Sequence, residues 1–257
     1  ASTGGADFTN PRGEAIKVDG GFRVSGHKVF ASLSPAGTVM STMFRYDDPE
    51  QGPRVLNVPV PMGEGVHVLD TWDAMGMRGT GSNEVVIEDV FVPDEKVLAN
   101  RPHGVIDPPL QVILSIALPI ISAVYLGVAE AAYNAAVAGA ASKAADPGVQ
   151  RLVGRMSNHL RVAGWALDGA LALVGDDPQP SVDTLDAVLA AKLEISAAGI
   201  EVCDLAMELA GGAGFMKGSV IERCYRDVRG LKLHPLSPDQ TVVHAGRLAL
   251  GQPTEVV

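Results

Sequence analysis

Only two cysteines, Cys203 and Cys224, occur in 257 residues. The chain therefore has no disulfide framework, and no Cys-x-x-Cys or Cys/His spacing that would hold a metal. No metal site is expected, and a reducing, cytoplasmic setting is the simpler inference. Basic residues are also scarce: 20 Lys and Arg stand against 30 Asp and Glu, a net charge of -10. Phosphate backbones are held by clustered cations and none cluster here, so nucleic acid is not an expected partner. A Gly-x-Gly-x-x-Gly fingerprint opening a βαβ unit is absent, which removes support for a Rossmann dinucleotide site. No internal repeat or low-complexity tract is evident. The first residues contain neither an initiator Met nor a charged-then-apolar leader, so nothing marks export and the start reads as cut.

What the chain has in abundance is apolar surface, with 47% hydrophobic residues, enough for a large core in one or two domains. From Glu14 to about Pro93 short alternating runs separated by Gly, Pro and Asp predict five or six strands, opening with a hairpin turned at Gly20 and Gly21. Such spacing suggests a small barrel or sandwich. Past Pro93, Ala and Leu dominate and helical periodicity takes over. Helices are expected from about Pro108 to Lys143, Gly148 to Val174, Ser181 to Ala210, Val220 to Arg229 and Pro238 to Leu250. The fold class expected is α+β: a small β-barrel domain over residues 1–100, then an antiparallel four-helix bundle over 101–257. The run from Leu110 to Ala129 is long enough to span a bilayer, at ~20 residues. Gln111, Ser115, Pro119 and Ser122 interrupt it, so it reads as a buried bundle helix and no membrane partner is expected.

The stretch from Gly211 to Gln240 organises the second half. A helix stops at a glycine pair, a short charged helix follows, and a loop ends in a new helix start where Ser237 caps, Pro238 opens and Gln240 closes a capping box. Ser237 and Asp239 thus stand at an anion-friendly helix end, a perch for a phosphate. With its Gly211-Gly212 turn and Arg226-Asp227, this stretch resembles the C-terminal part of the acyl-CoA dehydrogenase superfamily of flavoproteins. The segments Trp72–Thr80 and Glu88–Asp94 are similar to that family's central part, and the resemblance covers nearly the whole chain.

The resemblance implies three domains: an N-terminal helical one, which this sequence lacks, a central β domain, and a C-terminal four-helix bundle. FAD would be held between the last two and a neighbouring subunit. Ala1–Asp7 sits where the family has a flavin- and substrate-lining loop, with Ala6 in the place of a Ser. Lys28–Ser34 is similar to the family's Lys-x-Trp-Ile-Thr-Asn-Gly. By that match Phe30 would lie against the isoalloxazine and Ser32 would hydrogen-bond near flavin N5, where a positioned donor stabilises developing charge. The other reading of these two is a strand core residue and an edge hydroxyl. Glu208 to Gly212 resembles the family's Gln-x-x-Gly-Gly, whose backbone approaches the dinucleotide; Glu208, Gly211 and Gly212 would then touch the cofactor, although a helix C-cap explains Gly211 equally. The family's Arg-x-x-Phe-Gly motif is missing at Ala141–Asp146. Trp72 and Arg78 read as packing and turn residues.

The family's catalytic carboxylate is absent as well. Its usual slot after Arg226-Asp227 is Pro235, and the alternative slot in the first bundle helix is Ala117. Beside the first stands His234. Superfamily members that act as flavin-dependent monooxygenases use a His in this loop and a hydroxyl near N5, and His234 and Ser32 resemble that pair. Family numbers favour an FAD-dependent oxidoreductase that α,β-dehydrogenates an acyl-CoA-type thioester, a step of lipid metabolism. The alternatives are a monooxygenase using His234, and a non-catalytic partner subunit of a hetero-oligomeric dehydrogenase. The partners implied are a small-molecule substrate such as acyl-CoA, a flavin reductase or electron-transfer protein, and further subunits in a homodimer, tetramer or hetero-oligomer. His27, His67, His103, His159 and His244 have no paired spacing and read as surface or packing residues.

Overall fold

The computed structural model describes residues 7–254, so Ala6 and the rest of the opening loop before Asp7 lie outside them. The described chain forms two compact units, one of residues 7–74, 78–107 and 252–254 and one of 75–77 and 108–251.

The first unit is a seven-stranded sheet of β1 (Glu14–Val18), β2 (Gly21–Ala31), β3 (Val39–Asp48), β4 (Gly52–Pro61), β5 (Val66–Val68), β6 (Asn83–Pro93) and β7 (Ala99–Pro102). Its order is β5-β6-β2-β1-β3-β4-β7. Strands β1 and β2 form the hairpin anticipated at Gly20, whose φ of 74° a side chain would resist. Only β1 and β3 pair in parallel, and the other five pairings are antiparallel. Inward positions of the central strands fill one core: Phe22, Val24, Phe44, Leu56, Val58, Val85 and Ile87. Each fully buried side chain of this size contributes roughly 1.5–3 kcal/mol.

The barrel expectation is corrected here, because the sheet is open. Closure requires two edges long enough to pair with each other. Edge strands β5 and β7 have three and four residues, and each pairs with one neighbour only. Strand β7 is absent from the sequence reading because Ala99-Asn-Arg-Pro shows no apolar alternation. Polar contacts hold it: Arg54 Nε donates to Asn100 Oδ1 at 2.7 Å, and buried Arg101 donates to Asp107 at 3.3 Å and to the Phe8 carbonyl at 3.1 Å.

The second unit holds α1 (Pro108–Gly139), α2 (Pro147–Val174), α3 (Val182–Ala210), α4 (Gly212–Phe215), α5 (Val220–Asp227) and α6 (Pro238–Ala249). Local chemistry sets the ends. The Asp146 carboxylate accepts from the amides of Gly148 and Val149, Ser181 caps α3 through Thr184, and Ser237 and Gln240 close a capping box on α6. Helix α3 packs along both α1 and α2. Helix α1 has the length and apolarity of a membrane span. It nevertheless buries Leu114, Leu118, Tyr125 and Ala129 in this unit, with Gln111, Ser115 and Ser122 also buried.

A simple four-helix bundle is also corrected. Among the described residues there are three long helices and three short ones, because the chain after α3 is broken where a fourth long helix would run. Gly211 and Gly218 take φ of 57° and 92°, and a 3-10 segment follows over Val228–Leu233. Each interruption ends the i to i−4 ladder before a long helix can propagate.

Candidate functional site

In the β unit, two-residue alternation would place Phe30 on the buried face with Lys28. A register shift in the β2–β6 ladder between Lys28 and Ala31 changes this. Phe30 takes φ of 59° and its ring turns outward, 64% exposed, while Ala31 goes in. The core reading of Phe30 is thus excluded. The ring meets Trp72 edge-on at 6.1 Å, and Asn83 Oδ1 holds the Trp72 segment by accepting from the amides of Thr71 and Trp72. Beside Phe30 a concavity of about 340 Å³ is lined by Ser32, Ser34, Met40 and Met62 among others.

Ser32 is the outer end of a hydroxyl chain. Its Oγ lies 2.8 Å from Ser82 Oγ, which lies 2.6 Å from Thr80 Oγ1. The Leu33 amide donates to the Thr80 carbonyl at 2.8 Å, tying the two loops together. Ser82 and Thr80 escaped the sequence reading because nothing in the spacing between 32 and 82 shows that β2 and β6 bring them together. Arg78 pairs with Asp73 at 3.2 Å on the surface, pinning a turn.

In the helical unit, His234 follows the 3-10 segment and is half-buried. Its Nε2 lies 3.1 Å from the hydroxyl of Tyr125, and the two rings meet edge-on at 5.6 Å. Lys192, 4% exposed, donates from Nζ to the carbonyls of His234 at 2.7 Å and Leu236 at 2.6 Å. Burial, and then the Lys192 charge, hold the His234 imidazole below the usual histidine range. Burial, with Asp227 nearby, pushes the Tyr125 phenol up to about 12, and burial brings the Lys192 ammonium down to about 8. Asp227 accepts the Met77 amide at 2.6 Å, and Arg226 donates to the Met75 carbonyl at 2.7 Å. Tyr125 and Lys192 were not anticipated: on α1 and α3 they look like ordinary helix residues, 109 and 42 positions away from His234.

Glu208, Gly211 and Gly212 form the exposed end of α3, where Gly211 serves as the C-cap. At the start of α6 the capping box occupies the amides of Ser237 and Gln240, and the exposed Asp239 carboxylate adds negative charge. The first of these helix ends is given to the cofactor by resemblance, and the second by its capping chemistry. His27, His67 and His103 pair on the surface with Glu84, Glu88 and Asn10, while His244 is buried on α6. Among the described residues no group of three or more His, Cys, Asp or Glu could hold a metal ion.

Two family models match the chain: the middle domain of acyl-CoA dehydrogenase over residues 2–90 and its C-terminal domain over residues 114–234. YdbM of Bacillus subtilis, provisionally named an acyl-CoA dehydrogenase, is 31% identical over 246 residues, 91% of this chain and 61% of that protein. The amino sugar nitrososynthase DnmZ of Streptomyces peucetius is 31% identical, again over 91% of this chain and 61% of its own. The indole-3-acetate monooxygenase of Pseudomonas putida is 27% identical over 91% of this chain and 64% of its own. Among solved structures, KijD3 in complex with FMN and a dTDP-linked amino sugar superposes with a TM-score of 0.85 at 27% identity, covering 97% of this chain and 64% of that one. The chain thus spans about 61% of the length of the first two relatives.

These similarities correct two expectations. Acyl-CoA α,β-dehydrogenation, and with it lipid metabolism, gives way because the similar proteins include a nitrososynthase and a monooxygenase. The residues agree, since the two positions that the family resemblance gives to a carboxylate base are Pro235 and Ala117, neither of which can take a proton. FAD gives way to FMN as the flavin of a similar structure. Glu208, which the family resemblance sets near a dinucleotide, is an exposed carboxylate, and the family's Arg-x-x-Phe-Gly motif is missing at Ala141–Asp146.

Proposed function

The chain belongs to the acyl-CoA dehydrogenase superfamily, carrying its middle and C-terminal domains, and within it we propose an FMN-dependent monooxygenase that oxygenates a small molecule. The observation that carries this reading is the Tyr125–His234 pair at 3.1 Å, in a loop whose carboxylate slot is Pro235. Such a loop can deliver or hold a proton, and it lacks the carboxylate that takes one from the α-carbon of a thioester.

The residues of the β unit suit the ring end of the flavin. An outward Phe30 beside a concavity offers an apolar face, and the Ser32–Ser82–Thr80 chain offers an oriented hydroxyl donor. Reduced FMN, when bound, supplies the two electrons with which oxygen is activated for transfer of one atom to substrate. In the β unit Phe30 would orient the ring and Ser32 would donate a hydrogen bond to it; in the helical unit His234 would control a proton for the oxygen chemistry. Lys192 keeps the His234 loop in place through two carbonyls. A reductase supplies the reduced flavin. The names of the relatives point to nitrogen- or carbon-centred oxygenation of amines and aromatic rings as the substrate class.

The test is product formation with FMN, a flavin reductase, NADH and oxygen, using isobutylamine and phenol as probes. Oxygenated product is expected from the wild type and a loss of at least about 100-fold from His234→Ala, with FMN affinity kept. Anaerobic bleaching of bound flavin by acyl-CoA, with no oxygenated product under any reductase condition, overturns the proposal.

A further inference from the structure

Tyr125 sits in the middle of α1 with 4% of its surface exposed. Among the described residues its hydroxyl has one hydrogen-bond partner, Nε2 of His234. A phenol buried this deeply keeps its proton and must place it on an acceptor, because an unmatched buried O–H costs about 1–3 kcal/mol. The acceptor at hand is the Nε2 lone pair, which leaves Nε2 bare.

A neutral imidazole with a bare Nε2 carries its proton on Nδ1. No described residue pairs with Nδ1, and Nδ1 is not among the buried side-chain atoms that lack a partner, so it keeps access to solvent. We infer that Tyr125, with Lys192 anchoring the backbone, fixes His234 as the Nδ1–H tautomer, so that its open side is a hydrogen-bond donor and not a base. The consequence for catalysis rests on the monooxygenase reading of the same loop. The tautomer itself does not.

The neighbouring charges act in the same direction. A second ring proton would have to sit on Nε2 and face the phenol's own hydrogen, stranding one of the two. Burial holds the imidazole neutral, and Lys192 on α3 adds a positive charge at the His234 carbonyl. Burial, and then Asp227 on α5, raise the Tyr125 phenol and so keep the donor protonated. For an oxygenation, a neutral N–H donor can stabilise negative charge developing on oxygen without drawing a proton from the substrate. Tyr125 and Lys192 are therefore positioning residues for His234.

The experiment is long-range proton–nitrogen correlation NMR on the full chain labelled with 15N, without flavin and at neutral pH, His234 being assigned by its disappearance in His234→Gln. The expected pattern is a protonated Nδ1 and a bare Nε2, replaced in Tyr125→Phe by a mixture of tautomers and a higher histidine pKa. A protonated Nε2 in the wild type, or a Tyr125→Phe spectrum indistinguishable from it, overturns the inference. A second measurement compares two variants loaded with FMN and supplied by a reductase, on the same two probes. His234→Asn retains a donor and is expected to form about 10-fold more product than His234→Asp, which presents an acceptor; the reverse order overturns the donor role. If the wild type oxygenates neither probe, the monooxygenase reading fails, and the spectra still decide the tautomer.

Discussion

Gly230 lies so close to Tyr125 that a Cβ on it would stand 2.5 Å from the phenol oxygen and 3.2 Å from the ring. A glycine in the 3-10 segment is thus what lets the α1 tyrosine reach the imidazole at all. Gly230→Ala is expected to push the hydroxyl off Nε2, at a stability loss of about 1–3 kcal/mol, and on the proposed monooxygenase reading to lower turnover about 10-fold. Thermal melts followed by circular dichroism, beside product assays, check this. Unchanged turnover in a folded variant would show that the contact is incidental.

Lys28 is fully buried, donates to the carbonyls of Arg12 and Met43, and stands 4.1 Å over the Phe44 ring. Burial brings its ammonium from 10.5 down to about 7. In the unfolded chain the same amine stays protonated up to its ordinary value. Between pH 7 and 10.5 the unfolded state therefore holds more protons, and stability contributed by Lys28 rises with pH across that window. Lys28→Met removes this slope and leaves two carbonyls unpaired. The gap in unfolding free energy between wild type and variant, read from urea titrations, should widen from neutral to alkaline pH, by at most about 1.4 kcal/mol per pH unit. A constant gap contradicts the account.

Ser82 is buried between Ser32 and Thr80, and its removal leaves both of their hydroxyls without this partner. Ser82→Ala should cost about 1 kcal/mol of stability. If Ser32 needs that partner to orient, FMN affinity should fall about 5-fold, a shift of the same size. Quenching of flavin fluorescence during titration reads the affinity directly. An unaltered dissociation constant would remove Ser82 from the flavin site.

Cys203 and Cys224 are both buried, and burial, with Cys224 adding to it, pushes the Cys203 thiol up to about 12. Burial likewise raises Cys224. Since the thiolate is the reactive form, an aromatic disulfide reagent should find no fast-reacting thiol in the native protein and two after denaturation. Rapid labelling of either thiol in the folded state would mean that α3 and α5 open locally.

Much of the architecture was readable from residue order, since its determinants are local. Gly20 turns the first hairpin, Asp146 and Ser181 cap their helices, and Ser237 with Gln240 forms the capping box read from their spacing. The closed barrel and the fourth long helix failed because closure depends on the length of β5 and β7, and helix continuation on the conformations of Gly211 and Gly218. Both depend on context beyond the periodicity of apolar residues. His234 and Ser32 were singled out as chemistry-bearing residues, whereas Tyr125, Lys192, Ser82 and Thr80 carried no signal.

By itself the sequence determined which side chains are available: a histidine beside the position that the family resemblance gives to a carboxylate, a serine two residues after an aromatic, and glycines and caps at the element ends. Tertiary structure alone decided which of them touch. It brought Tyr125 to His234 across 109 positions and Ser32 to Ser82 across 50. The physical reason is range: capping and turn chemistry act within a few residues, while a buried hydroxyl finds its acceptor only after distant helices and strands have packed.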